Sequence, residues 1–233
     1  MTERLYESDA YLQSAEATVT SDGESGLVLD RTVFYTLGGG QPGDTGTLRN
    51  EEGRVVRVVD ARKGEGAEIV HVIESGAQPF ASGERVVATI DWERRYAHMR
   101  MHTCLHLLGA ILKYGVTGGQ VGAERSRLDF DCQDEIDKAA VTEALNALIR
   151  ADHPVQSRWI SAAELAAAPE LIRTMSVRPP TGAGTIRLLE IPGVDLQPCG
   201  GTHVRRTGEI GPVVVAKVES KGRRNRRVQI AWD

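Results

Sequence analysis

At Asp91 the sequence changes period. On its N-terminal side, from Glu16 to Ile90, short β-type runs alternate with turn residues: Thr18-Val-Thr, Gly26-Leu-Val-Leu, Val33-Phe-Tyr, Arg54-Val-Val-Arg-Val-Val, Glu68-Ile-Val-His-Val-Ile and Arg85-Val-Val-Ala-Thr-Ile. Runs of that length, separated by Gly, Asp and Asn, read as an antiparallel sheet curling toward a small barrel. On the C-terminal side, Trp92 to Tyr114 has no glycine before Gly109, spaces Leu105, Leu108 and Leu112 three and four apart, and meets Gly115 as a helix stop. A second helix is expected from Asp134 to Ala151 on the spacing of Ile136, Ala140, Leu145, Leu148 and Ile149, and Ser161-Ala-Ala-Glu164 is a capping-box pattern opening a short third. Strand-like runs return at Val155–Ile160, Thr185–Ile191, Pro212–Val218 and Arg227–Trp232. Helices beside an antiparallel sheet, without steady βαβ alternation, make the class α+β. The expectation is a glycine-rich small antiparallel β-barrel over residues 1–90, followed by an α+β domain with an antiparallel sheet over residues 91–233.

Composition narrows the function classes. A chain of 233 residues with 41% apolar content can build one large core or two modest ones, which excludes dominant disorder. A formal net charge of −4 excludes a generally basic nucleic-acid binder and a polybasic membrane anchor, so any anionic partner must meet a local patch. No run approaches the roughly 18 apolar residues of a spanning helix, and MTERLYESDA has no hydrophobic stretch after a basic start. The chain therefore reads as soluble and cytoplasmic. Three cysteines, Cys104, Cys132 and Cys199, are too few for a disulfide framework and point to free thiols or a metal ligand.

The chemistry concentrates in two places. His98-Met-Arg-Met-His102-Thr-Cys-Leu-His106 lies in the expected helix, where residues four apart share a face about 6 Å apart along the axis. His102 and His106 can converge on one ion; His98, a turn earlier on much the same face, offers an alternative pairing. Pro198-Cys199-Gly-Gly-Thr-His203 places a thiol and an imidazole around two glycines, which are expected to let the backbone turn tightly about a ligand. Soft sulfur with imidazole nitrogen suits tetrahedral zinc at roughly 2.0–2.3 Å. Cys104 points away from the His102/His106 face and reads as packed in the core, and Cys132 reads as an inert buried thiol. His71 and His153 read as ordinary. Thr, Cys and Leu at positions 103 to 105 leave no glutamate of the HExxH kind, so a zinc protease loses its support. Four such ligands close a tetrahedral zinc and make it structural unless one is loose or the ion expands to admit water.

Several segments together resemble a known family. His102-Thr-Cys-Leu-His106 with Leu107-Leu108, Gln120 with Leu128-Asp129-Phe130, and Cys199-Gly-Gly-Thr-His203-Val resemble the editing domain of alanyl-tRNA synthetases and its free-standing relatives, the AlaX proteins. Phe34-Tyr35-Thr-Leu-Gly38-Gly39-Gly40-Gln41-Pro-Gly43-Asp44-Thr-Gly46 is similar to the glycine-rich motif of the longer AlaX forms, which place a small β-barrel before the zinc-bearing domain. The motifs run in the expected order from residue 34 to residue 227. The resemblance implies a zinc-dependent hydrolase acting in trans on mischarged tRNA(Ala), deacylating the seryl ester and, as a second substrate, the glycyl ester, while sparing Ala-tRNA(Ala). It implies Zn2+ on His102, His106, Cys199 and His203, a deacylation role for Gln120, and a pocket role for Thr103, whose hydroxyl could equally bond back to a helix carbonyl. Gly38, Gly39, Gly40, Gln41 and Asp44 carry the glycine-rich motif, which is not a P-loop because no Gly-Lys-Ser/Thr follows; no ATP use is expected.

An RNA substrate requires concentrated positive charge, and Lys221, Arg223, Arg224, Arg226 and Arg227 supply five cations within seven positions. Two other readings remain open at this level. One is a non-catalytic tRNA-binding module stapled by a structural zinc. The other is editing of Ser-tRNA(Thr), because threonyl-tRNA synthetases share the HxxxH and CxxxH arrangement.

Overall fold

The computed structural model describes residues 1–23, 26–172 and 184–233, and the chain divides into two units, Met1–Tyr96 and Ala97–Asp233. In the first, β1 (Glu3–Arg4) and α1 (Leu5–Ser8) precede β2 (Ser14–Gly23), β3 (Gly26–Leu29), β4 (Arg31–Thr32), β5 (Gly46–Asn50), β6 (Val55–Lys63), β7 (Ile69–Ile73) and β8 (Arg85–Ile90). Six of these strands close a barrel in the order β2-β3-β7-β6-β5-β8, with β2 antiparallel to β8 at the seam. Period-2 alternation does the sorting: Val86, Ala88 and Ile90 of β8 point inward with Val56 and Val58 of β6 and Leu48 of β5. This is the expected antiparallel barrel, and the chain as a whole is α+β.

Two segments of the barrel unit differ from their sequence patterns. Val33-Phe-Tyr is not a strand, although all three side chains are buried. Its backbone is satisfied by side chains instead of a ladder: Phe34 N–H donates to Thr32 Oγ1 at 3.0 Å and Tyr35 N–H to an Asp44 oxygen at 2.7 Å. Conversely β5, with Leu48 as its one strongly apolar residue, is a strand because β6 and β8 pair with it on both sides. Gly46 is required there, since a Cβ would come within 2.1 Å of the Thr89 carbonyl oxygen.

The second unit takes most of α2 (Trp92–Leu112), then β9 (Val116–Gln120), β10 (Arg125–Asp131), α3 (Lys138–Arg150), β11 (Gln156–Ser161), α4 (Ala162–Ala167), β12 (Thr185–Ile191), β13 (Asp195–Pro198), β14 (Val213–Gly222) and β15 (Asn225–Trp232). The first helix stops short of Gly115 because Lys113 adopts the left-handed conformation (φ 56°) and donates its N–H to the Gly109 carbonyl at 3.0 Å. The second starts later than its apolar pattern, at the residue after Asp137, whose carboxylate caps it by accepting from Ala139 and Ala140 N–H. The Ser161/Glu164 capping box is present and opens α4. Among the described residues no helix is long and apolar enough to cross a membrane.

Two sheets organise this unit, β14-β15-β10-β9 and β11-β12-β13. The edge of β14 is covered by α3: Asn146 bonds both the N–H and the carbonyl of Val213, and Thr142 Oγ1 accepts from Val215 N–H. The three-stranded sheet has two unlike faces. Ile160, Ile186, Leu188 and Leu196 pack against Leu165 of α4 and against Leu171. By strand alternation and register the opposite face carries Trp159, Arg187, Leu189, Gln197, Ile191 and Asp195.

Candidate metal centre

α2 presents His102 and His106 one turn apart with ring centroids 5.4 Å from each other. The chain after β13 brings in Cys199 and His203; the His203 ring lies 4.3 Å from His102 and 4.9 Å from His106, centroid to centroid. Cys199 Sγ is 3.2 Å from His203 Nε2 and 3.6 Å from His102 Nε2. One donor atom from each of the four side chains falls within 4.8 Å of the others, so the group can hold a metal ion. Tetrahedral zinc at about 2.0–2.3 Å from N and S ligands spaces those ligands roughly 3.3–3.8 Å apart, near the 3.2 and 3.6 Å between Cys199 Sγ and the two imidazole nitrogens. His98 is buried on the same helix but is not in this group.

Two of the three imidazoles are aimed by a neighbour. His106 Nδ1 donates to Asp195 Oδ2 at 2.9 Å, and Gln197 Nε2 donates to the same oxygen at 2.7 Å, leaving His106 Nε2 to face the cluster. Thr103 donates to the Met99 carbonyl at 2.8 Å, which consumes its only proton, so the 3.2 Å contact with His203 is Nδ1–H donating to Oγ1. Val204 N–H donates to the same hydroxyl at 3.3 Å. Thr103 thus bonds back to its helix and orients His203, rather than offering a free hydroxyl to a ligand. Arg187 steadies the loop: its Nη1 donates to the carbonyls of Gly201 (2.6 Å) and Cys199 (3.4 Å), while Cys199 N–H returns a bond to the Arg187 carbonyl at 3.0 Å.

The electrostatics suit a thiolate. Burial alone would raise the Cys199 thiol, but His102, His203 and His106 facing it outweigh that and hold it well below its ordinary value. Gly201 N–H adds a donor 3.4 Å from the sulfur. Burial would lower His106, yet the Cys199 charge and the Asp195 bond carry it up to about 9; burial dominates at His203 and takes it down to about 3. A deprotonated sulfur beside imidazole nitrogens is the form in which these side chains ligate a metal. Cys104, by contrast, is pushed by burial up to about 12, an inert core thiol, and Cys132 is buried with Sγ 3.8 Å from the Asp134 carbonyl.

The expected tightness of the Cys199–His203 bend does not come from Gly200: a Cβ there would meet nothing within 4 Å, and its φ is not in the left-handed region. In the barrel unit, Gly39 (φ 57°) and Gly40 (φ 81°) do need that region, because they are the central pair of a turn closed by reciprocal Gly38–Gln41 backbone bonds. Asp44, ending the glycine-rich motif, accepts from Tyr35 N–H and forms a fully buried ion pair with Arg95, while Gln41 is also buried.

Gln120 lies at the exposed end of β9, 3.4 Å from the Arg127 Nε that donates to it, outside the four-donor group. The cationic run sits on the β14–β15 hairpin and is largely engaged within its own unit. Arg227 and Arg224 make bidentate pairs with Asp129 and Asp131, Arg226 donates to the Gln133 carbonyl, and Lys221 lies 3.6 Å from Glu219. Arg223 is exposed at the tip.

The profile described as "tRNA synthetases class II (A)" matches residues 8–94, and that of the "Threonyl and Alanyl tRNA synthetase second additional domain" matches residues 186–229. The chain is 36% identical over 232 residues to the alanyl-tRNA editing protein AlaX-M of Saccharolobus solfataricus, covering 98% of both chains. It belongs to the AlaX-M family of alanyl-tRNA editing proteins. The AlaX-M protein of Methanosarcina mazei is 39% identical over 240 residues, 98% of this chain and 95% of that one. The alanine–tRNA ligase of Pyrobaculum calidifontis is 39% identical over 233 residues, but these are only 25% of the ligase. This chain thus corresponds to about a quarter of that ligase. Asp195 and Gln197 carried a signal that sequence reading overlooked: with Cys199 they fall at every second position, as residues on one strand face do.

Proposed function

We propose that this chain is a zinc-dependent trans-editing hydrolase that deacylates Ser-tRNA(Ala), with Gly-tRNA(Ala) as a second substrate, and spares Ala-tRNA(Ala). The observation that carries the reading is the convergence of four donors from segments nearly a hundred residues apart, His102 and His106 with Cys199 and His203, within 4.8 Å. Their chemistry, one thiolate and three imidazoles, fits Zn2+. When bound, zinc supplies a Lewis acid able to lower the pKa of water or polarise an ester oxygen. The chain's own residues do the rest. Asp195 and Thr103 hold the imidazoles of His106 and His203 in the Nδ1–H tautomer, and Arg187 holds the loop that presents Cys199.

An aminoacyl ester is already activated, so such a site need only position water, stabilise the oxyanion and hold the terminal adenosine. Serine and alanine differ by one hydroxyl, and a site with a hydrogen-bond partner for it penalises alanine by leaving that partner unsatisfied. Arg223 and Lys221 are the cations of the hairpin best placed for phosphate contacts, giving binding that weakens with salt. Incubating the protein with Ser-tRNA(Ala) and Ala-tRNA(Ala) tests the proposal. Selective loss of the seryl ester supports it, and equal persistence of both esters with and without protein ends it.

A second reading has an observation behind it: the group offers four protein donors, the number that closes a structural zinc site. A non-catalytic tRNA-binding module is favoured if tRNA binds tightly while wild type and Gln120→Ala leave the ester equally intact. Exchanging the tRNA body for tRNA(Thr) in the same assay separates alanyl from threonyl editing, and the matches along the whole chain to alanyl editing proteins favour the former.

A further inference from the structure

The face of the β11-β12-β13 sheet that carries Asp195, Gln197 and Arg187 to the metal group continues outward to Trp159 on the edge strand. Trp159 stands directly opposite Arg187 in the antiparallel register, which places the two side chains on one face with Cβ atoms about 5 Å apart. Arg187 in turn touches the carbonyls of Gly201 and Cys199. Trp159 is 51% exposed, while the neighbouring Arg158, 3.7 Å from Glu190, alternates onto the opposite face of the sheet. An apolar ring of this size in water next to a candidate site, with the Arg187 guanidinium on the same face, matches the chemistry of single-stranded RNA recognition: a π-face for a base and positive charge beside it.

We propose that Trp159 is a stacking platform for a base at the single-stranded 3′ end of the RNA substrate. The inference rests on the aminoacyl-tRNA reading above, in which the scissile ester sits on the terminal ribose and the neighbouring bases must lie within a nucleotide's length of the metal group. Stacking is indifferent to base identity, so it holds the acceptor end without reading which tRNA it belongs to. Arg187 keeps its bonds to the metal-bearing loop and lends its charge to the same surface.

Two measurements on wild type, Trp159→Ala and Trp159→Phe test this. The first is the Kd for a short uncharged single-stranded RNA ending in C-C-A, which does not depend on hydrolysis. The second is the KM and kcat for Ser-tRNA(Ala). Loss of one stacked base, about 1–3 kcal/mol, predicts that Trp159→Ala raises Kd and KM roughly 5- to 150-fold with the larger effect in KM than in kcat, and that Trp159→Phe recovers most of the loss. Metal content and thermal midpoint of Trp159→Ala should match wild type. An unaltered Kd overturns the inference, as does a loss explained by lost metal, or a wild-type dimer that Trp159→Ala dissociates. If wild type fails to hydrolyse the ester yet binds the oligonucleotide through Trp159, the editing reading fails and the platform stands.

Discussion

The barrel unit and the second unit each bury a polar cluster, and the two clusters are built on opposite rules. In the barrel, the Asp44 carboxylate meets the Arg95 guanidinium, whose remaining N–H groups donate to the carbonyls of Ala10 (2.9 Å) and Val33 (2.6 Å). Charge cancels charge and donors meet acceptors, so the cluster is complete in itself. His71 is a smaller case: with Nδ1 on the Leu27 carbonyl and Nε2 on the Thr32 hydroxyl, it is satisfied as a neutral ring. In the second unit, four donor atoms gather within 4.8 Å, and the outer nitrogens of His106 and His203 are held by Asp195 and Thr103. A buried polar group whose partners are all supplied by the chain serves the fold; converging donors held in place by an outer shell serve an ion.

The contrast can be broken from either side. The largest effect is expected in the barrel: Arg95→Met leaves Asp44 as an uncompensated buried charge and should cost about 3–5 kcal/mol by denaturant titration, with metal content of the folded protein retained. The next is a pH effect. Burial takes His71 down from 6.5 to about 4, so the unfolded chain binds this proton first as pH falls. Stability should be insensitive to this group above pH 6.5 and should fall by up to about 3 kcal/mol between pH 6.5 and 4. His71→Gln should flatten the stability curve in that window; an unchanged slope contradicts the neutral-ring assignment.

In the second unit the same kind of change should be felt in metal affinity more than in stability. Asp195→Ala should weaken metal binding about 10- to 100-fold in chelator competition, because His106 loses the acceptor that fixes its tautomer. Thr103→Val should sit at the lower end of that range, about tenfold, since it removes the oxygen to which His203 donates but keeps the side-chain shape. Thr103→Ser, which restores the hydroxyl, should return the affinity; failure of that rescue would show that packing, not the hydrogen bond, positions His203.

Legibility followed how locally each feature is encoded. β6, β7 and β8 could be read because their apolar alternation is a property of the segment itself, and α2 because its spacing and lack of early glycine are too. β5 and β9, Gly-Thr-Leu-Arg-Asn and Val-Thr-Gly-Gly-Gln, could not, because neighbouring strands rather than their composition make them strands. The same holds for charge. The sequence counts cations on the β14–β15 hairpin, but the register that places Arg227 opposite Asp129 and Asn225 opposite Asp131 is what neutralises much of the run. At the metal centre the four donors were visible as paired spacings, whereas Thr103 as an orienting group depends on a contact across a hundred residues that no local pattern announces.

The central claim is that two distant segments form one cation site. Elemental analysis of untagged protein beside His102→Ala tests it most directly. The account predicts about one zinc per chain in the wild type and a large loss in the variant, in keeping with a four-ligand site reduced to three. Wild-type protein that hydrolyses Ser-tRNA(Ala) while free of metal, or a variant that retains its full zinc content, contradicts it.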